Sequence, residues 1–358
     1  MTPLVQARID LGALRHNLAC ARAAAPRARV MAVIKADAYG HGMLRVARAL
    51  HDADAFGVAR VEEALNLRAA GVTQPIVLLE GVLDAAQLSA AAHRDLSLVL
   101  HHAFQVDLIE HAPENLPPVK VWVKLDSGMH RLGFVPAEIP RVVQRLRRSK
   151  KIISPLRFMT HLANADDRND RTTLRQLEVF QSALAGIEGE RSIANSAGIM
   201  GWPQTHADWV RPGIMLYGVS PFLHDGAEAH GLRPVMTLST RLIALRRNKK
   251  GDAIGYGGSY VCPRDMLTGV AAIGYGDGYP RHAQTGTPVL VNGRRAPLIG
   301  RVSMDMITVD LSAQPEARIG DPVVLWGDGL AVEEVARCAS TIAYELLCGV
   351  ARRVAFVE

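Results

Sequence analysis

Cysteine is scarce in this chain, with four in 358 residues: Cys20, Cys262, Cys338 and Cys348. They are scattered, form no Cys-x-x-Cys pair and show no metal-like spacing. A disulfide framework and a thiolate metal site are therefore not expected, and free thiols in a reducing compartment are. Long apolar runs are also missing, so no segment is expected to cross a membrane. The first ten residues, MTPLVQARID, lack a charged head followed by an apolar stretch, so no signal peptide is expected and the cytoplasm is the expected address. Low-complexity segments and internal repeats are absent too. The net charge is +6, and the dense basic runs are 145–151 and 246–250. Neither is interleaved with aromatic residues as a single-strand binder needs, so no nucleic-acid partner is expected. The first run fits the last turn of a helix, where the dipole favours cations.

What is present is an ample core. Apolar residues make up 49% of the chain, and the length favours two domains or one large barrel with an appendage. From Val30 to about Gly218, short apolar strands alternate with amphipathic, alanine- and leucine-rich segments. The strand candidates are 30–34, 54–59, 75–79, 96–100, 119–125, 156–161, 191–195 and 213–218. Strand–helix alternation of this length argues for a closed parallel (β/α)8 barrel of the TIM type over an open sheet. After about Gly231 the texture changes to Val-, Ile- and Thr-rich strands separated by turn signals such as Val291-Asn292-Gly293. Only Val332 to Leu347 reads as helical there. The expected division is a barrel over 1–230 and a mostly β domain over 231–358.

Lys35 ends the first apolar run and leads into the loop Ala36–Gly42. A lysine there projects from the carboxyl end of a buried strand, where parallel α/β folds place their chemistry. Its amine could form a Schiff base with an aldehyde cofactor or a carbonyl substrate. Taken alone it is more often a solvated charge. If the chain is an enzyme, polar groups should gather at several strand ends, and they do. Lys124 and Asp126 end the fifth candidate, with Arg131 in the loop beyond. His161 ends the sixth, Asn195 and Ser196 the seventh, and Arg211 leads into the eighth. Each has a bland reading as a cap, an ion-paired arginine or a core histidine; together they read as one site. Tyr39, Ser196 and the loop Arg211-Pro212-Gly213-Ile214 offer hydroxyl and backbone donors suited to a phosphate. Phosphate donors with a Schiff-base lysine point to pyridoxal 5'-phosphate.

These residues stand in segments that resemble the alanine racemases, fold-type III pyridoxal-phosphate enzymes. The matching segments are VIKADAYGHG from Val33, VKLDSGMHRLGF from Val123, THLANAD from Thr160 and ANSAG from Ala194. They continue with WVRPGIMLYG from Trp209, IGYGGSY from Ile254, AIGYGDGYPR from Ala272 and GRVSMDM from Gly300. The resemblance spans nearly the full length. It implies racemisation of alanine by a homodimer with shared active sites. Lys35 then resembles the Schiff-base lysine and first catalytic base, and Tyr256 the second base, lent by the other subunit. Tyr39, Asn195, Ser196, Gly213 and Ile214 resemble the cofactor-binding set. Arg211 resembles the arginine facing the pyridine nitrogen, and Arg131 the one near the cofactor's phenolic oxygen and the substrate. His161 resembles the histidine that links Arg211 to the tyrosine base. Lys124 matches a lysine the family can carry as a carbamate. Met304 resembles a backbone donor to the substrate carboxylate, and Asp305 its neighbour at the entrance.

Two departures stand out. Arg352 occupies a position where some relatives carry a phosphate-binding tyrosine, and Ser303 one where some carry cysteine. Two other readings stay open at this point: a fold-type III decarboxylase, and a carrier that binds the cofactor without catalysis. The decarboxylases favour an acidic residue at the pyridine nitrogen in place of Arg211. The single-domain homeostasis proteins lack a β domain carrying Tyr256.

Overall fold

The computed structural model describes residues 3–223 and 225–358. A first strand, β1 (Gln6–Ile9), precedes the helix Leu11–Ala24 and takes no part in the barrel. The barrel follows as β2 (Arg29–Val33), β3 (Ala55–Val58), β4 (Ile76–Leu78), β5 (Leu96–Leu100), β6 (Val119–Lys124), β7 (Ile152–Met159), β8 (Glu190–Ser192) and β9 (Trp209–Val210). All neighbours are parallel, and β2 closes on β9 through Arg29–Trp209 and Val30–Val210. Strands covered on both faces need apolar residues at successive positions, and β3 and β5 are buried throughout. That continuity is what makes them readable in the sequence.

The eighth barrel strand is not the expected 213–218 but β9, immediately before Arg211. Residues Ile214–Tyr217 instead form a 3-10 turn, ended by Gly218 at φ 77°. The turn is as apolar as a strand because it is buried near the helix Leu11–Ala24, whose Asn17 Nδ2 donates to Leu216 O at 3.0 Å. The register change moves Arg211 to the carboxyl end of the last strand.

The barrel interior is filled by Met31, Ala55, Val77, Val99, Trp122, Met159 and Trp209. Glu190 ties this plug together, accepting from Arg157 Nε at 2.8 Å and Trp209 Nε1 at 3.0 Å and pairing with Arg29. The interior is a packed core, and ligand chemistry is left to the loops at the strands' carboxyl ends.

The second domain contains β10 (Met236–Asn248), β11 (Ala253–Ile254), β12 (Tyr260–Val261), β13 (Met266–Ala271), β14 (Pro288–Val291), β15 (Arg294–Ile299), β16 (Ile307–Asp310), β17 (Pro322–Trp326) and β18 (Ala355–Val357). Its main sheet runs β13-β16-β15-β14-β17-β10-β1-β18, and β10 also pairs with β13, so the sheet curls onto itself. β1 joins it between β10, antiparallel, and β18, parallel. The helical stretch expected from Val332 to Leu347 is two helices, Val332–Cys338 and Ala343–Cys348, separated where Ser340 takes φ 53°.

Candidate active site

Lys35 opens the sharpest backbone feature of the molecule. Ala36, Asp37, Ala38 and Tyr39 all have φ between 51° and 55°, a left-handed turn of four residues with side chains, closed by Gly40 at φ 79°. Left-handed geometry costs about 1–2 kcal/mol per such residue, so the surroundings must impose it. They do so from several sides. Glu63 accepts the Ala36 N–H at 2.7 Å while also accepting those of Ala59 and Arg60 at 2.8 and 3.1 Å. Asp37 Oδ1 accepts the Met43 N–H at 2.7 Å. The Ala38 N–H donates to Ile34 O at 2.9 Å, and that of Gly42 to Asp37 O at 2.9 Å. Gly40 has no room for a side chain, since a Cβ there would lie 2.2 Å from Leu347 O on the helix Ala343–Cys348.

Beside this turn lies a cup of donors. Tyr39 is buried, and its ring stacks on Tyr217 with centroids 4.7 Å apart. Burial pushes its phenol pKa up, so the hydroxyl keeps its proton and stays a donor. Ser196 Oγ accepts the Gly213 N–H at 2.9 Å and the Met215 N–H at 3.4 Å. Neither the Ile214 N–H nor the Tyr39 hydroxyl is spent on a partner among the described residues. A Cβ on Gly213 would come within 2.6 Å of Tyr39 Oη and fill the cup. Asn195 shapes the rim by capping the short helix Ser196–Gly201: its Oδ1 accepts from Gly198 at 3.0 Å and its Nδ2 donates to Leu162 O at 3.3 Å.

Arg211 is buried, and donates to Ser192 Oγ at 2.6 Å and to the carbonyls of Thr160 and Ile193 at 2.5 and 3.2 Å. Burial lowers its pKa to about 10, which leaves it charged at neutral pH. Both terminal nitrogens are engaged, while Nε is bonded to nothing among the described residues. His161 Nδ1 stands 3.5 Å from Arg211. Burial, then Arg211, Lys124, Arg131 and Lys35, push the His161 pKa well below its usual value, so the ring is neutral. The Lys35 amine is lowered in the same way, by burial and Arg131 against the opposing pull of Glu80 and Glu63. Lys124 is buried without a hydrogen-bond or ion-pair partner among the described residues, and burial with Arg211 and Arg131 brings its pKa to about 7. Asp126 organises the loop that carries Arg131, accepting the N–H groups of Gly128, Met129 and His130 at 3.0–3.1 Å. Arg131 itself is exposed and unpaired within the described residues.

So many cations around one cup suit a ligand with a phosphate and further negative charge. The free Arg211 Nε, the Tyr39 hydroxyl and the Ile214 N–H match a ring acceptor and a phosphate, so the residues present fit pyridoxal phosphate. Lys35, Tyr39, Lys124, His161, Ser196, Arg211 and Gly213 belong to this neighbourhood. Tyr256 does not fall into it in the same obvious way: it sits between β11 and β12 and is 68% exposed. Met304 is 54% exposed, and its carbonyl accepts the Gly276 N–H at 2.8 Å. Asp305 is anchored by Arg353, which also donates to Asp277. Arg352 is exposed and makes no hydrogen bond among the described residues.

Sequence reasoning missed the supports. Glu63, Ser192, Thr160 and Tyr217 hold the turn, Arg211 and Tyr39, yet each is a common residue with no distinguishing spacing. Tyr344 from the second domain was also missed, and its ring lies 5.9 Å from that of Tyr39.

The family model described as alanine racemase, N-terminal domain, matches residues 9–221, and that described as alanine racemase, C-terminal domain, matches 235–358. The chain is 57% identical over 350 residues to an alanine racemase of Nitrosococcus oceani, spanning 98% of each. It is 51% identical over 349 residues to the biosynthetic alanine racemase of Escherichia coli O6:H1, spanning 97% of each. Its fold matches the crystal structure of biosynthetic alanine racemase from Pseudomonas aeruginosa with a TM-score of 0.96 at 48% identity, over 99% of both chains. With a donor cup beside a strand-end lysine, and both domains matched in order, the chain belongs to the alanine racemase family.

Proposed function

We propose that this protein interconverts L-alanine and D-alanine with pyridoxal phosphate, using Lys35 and Tyr256 as the two bases. When bound, the cofactor supplies an electron sink that makes the α-proton of an amino acid removable. The observation that carries the reading is Lys35 on a clamped turn beside unspent phosphate donors, with a free Arg211 Nε in the same cup. Lys35 would hold the cofactor, and burial with Arg131 nearby shifts its amine below the usual lysine range, toward the form that takes a proton. Tyr39, Ser196, Gly213 and Ile214 would bind the phosphate. Arg211 can only donate, so it would hold a ring nitrogen in its unprotonated form and make the sink a weak one. Prompt return of the proton at the α-carbon is then favoured over side reactions.

Inversion needs a second acid–base group on the opposite face. Tyr256 Oη would fill that role, with neutral His161 relaying the charge of Arg211 toward it. The exposure of Tyr256 on a hairpin of the second domain supports its being lent to another subunit. In a twofold homodimer each chain would lend Tyr256, with Met304 oriented to the substrate carboxylate by the anchored Asp305, while Arg131 of the receiving chain meets cofactor and substrate. We take 1–230 and 231–358 as the two working units, with the first strand, Gln6–Ile9, paired into the sheet of the second. No helix among the described residues is long and apolar enough to cross a membrane, and free cysteines support a cytoplasmic address.

The test is solvent-proton exchange. Incubation of the holoenzyme with L-alanine in heavy water should yield α-deuterated alanine of both hands. Carbon dioxide release from lysine, ornithine or diaminopimelate would instead indicate a decarboxylase. Tight cofactor binding with no exchange would indicate a carrier.

A further inference from the structure

His41 is buried completely inside the loop that follows Lys35, yet the two-base reading gives it no task. Its Nδ1 lies 3.0 Å from Ala38 O and 2.9 Å from Tyr39 O. Two carbonyl acceptors require a donor between them, so Nδ1 carries the proton and the neutral ring leaves Nε2 as a bare acceptor. Nε2 is fully buried and has no hydrogen-bond partner among the described residues. A buried histidine with one unsatisfied nitrogen is an expensive way to fill space; a phenylalanine would pack there without that cost. The ring also sits 4.6 Å from Tyr217, whose other neighbour at 4.7 Å is Tyr39. Tyr217 is fixed in turn by its hydroxyl, which donates to Val33 O at 3.0 Å.

We propose that His41 is a positioning residue for Lys35 and Tyr39, its Nδ1–H clasping the two carbonyls at the end of the left-handed turn while its ring backs the Tyr217–Tyr39 stack. Glu63 and Asp37 secure the turn through its N–H groups and one side chain. His41 is the side chain that gathers its carbonyls. Ala38 O also accepts the backbone N–H of His41 at 3.0 Å, whereas no backbone donor reaches Tyr39 O among the described residues. Without the Nδ1–H the end of the turn therefore loses the donor that holds Tyr39 O and can relax to a right-handed course. Tyr39 Oη would then leave the phosphate cup and the direction of Lys35 would change. The proposal rests on reading Lys35 and Tyr39 as cofactor-binding residues.

Three variants separate the donor from the ring. His41→Asn keeps an amide donor near the Nδ1 position and loses the ring. His41→Phe keeps a ring and loses the donor, and His41→Leu loses both. Pyridoxal phosphate affinity is measured by titrating the apoprotein, with thermal melting to check folding and hydrogen exchange of residues 36–42 to read the turn. His41→Phe should weaken cofactor binding at least about tenfold and speed exchange of the Gly40 and Gly42 amides, whereas His41→Asn should stay within about threefold of wild type. His41→Leu should do no better than His41→Phe. A space-filling role predicts the opposite order, and that order, or equal affinities throughout, overturns the proposal. Should His41→Phe not fold, His41→Asn decides alone, and loss of binding there overturns it. Borohydride labelling of wild-type enzyme at a lysine other than Lys35 would defeat the underlying reading separately, whatever the order of the variants.

Discussion

Lys124 is a buried amine of the barrel with no hydrogen-bond or ion-pair partner among the described residues. It lies near Arg211, Arg131 and Lys35, with Asp126 acting against them. A pKa of about 7 makes a neutral amine abundant at physiological pH, and a neutral amine can add carbon dioxide, releasing a proton, to become a carbamate anion that would pair with Arg131. Native mass spectrometry in bicarbonate should therefore show the added carbon dioxide mass on Lys124. Because protonation blocks the addition, occupancy should rise with pH through about 7 and fall below it. A bare lysine paired with chloride at every pH would sink the idea. Arg211 makes a second residue-scale prediction. Arg211→Glu puts an acceptor where the native side chain can only donate. Racemisation should fall about a hundredfold, and the fraction of turnovers ending as pyruvate should rise; an unchanged partition would remove Arg211 as the selector of reaction. The strand-end residues themselves were legible in sequence, because barrel topology alone brings them together. Their supports were not: Ser192 and Thr160 matter through where their oxygens end up, which no motif announces.

At the scale of elements, the barrel was readable and two local structures were not. Strands such as 96–100 are buried throughout because both faces are covered, with Ser97 the one polar residue in the run, and their bounds were met closely. β9 has only two residues, too few to show a pattern, while the neighbouring 3-10 turn Ile214–Tyr217 mimics a strand by being buried. The left-handed turn is hidden for another reason. Ala36, Asp37, Ala38 and Tyr39 carry no glycine to signal positive φ, and the conformation is imposed by Glu63, His41 and the second domain's Leu347. The seam at Leu347 is testable. Gly40→Ala must fit a Cβ into 2.2 Å from a backbone carbonyl at φ 79°. It should cost about 1–3 kcal/mol of stability, read as a lower melting temperature together with weaker cofactor retention. A variant as stable and as well loaded as wild type would show that the seam can shift freely.

At the scale of the whole molecule, Lys35 and Tyr256 stand on different domains, and the proposed sharing between subunits predicts complementation. Lys35→Ala and Tyr256→Phe homodimers should each be nearly inactive. Hybrids contain one site lacking both groups and one intact, and random mixing makes half the dimers hybrid. Activity should then return to about a quarter of wild type per site. Verified hybrids, isolated with two different tags, that stay inactive would mean Tyr256 acts within its own chain or not at all. The large division into barrel and β domain was legible from the change in texture near Gly231. The place of Gln6–Ile9 was not, since four residues cannot declare partners that lie beyond Met236. That placement has a consequence for biosynthesis. β1 leaves the ribosome before the barrel, but its sheet neighbours β10 and β18 follow only after the whole barrel has been made. At about 5–20 residues per second the strand waits on the order of tens of seconds as an unpaired segment. The barrel can form around its own contacts during that time, whereas β1 gains its first sheet partner only with β10 and its second only with β18, so a nascent chain stalled before Met236 would expose β1 to chaperones and proteases.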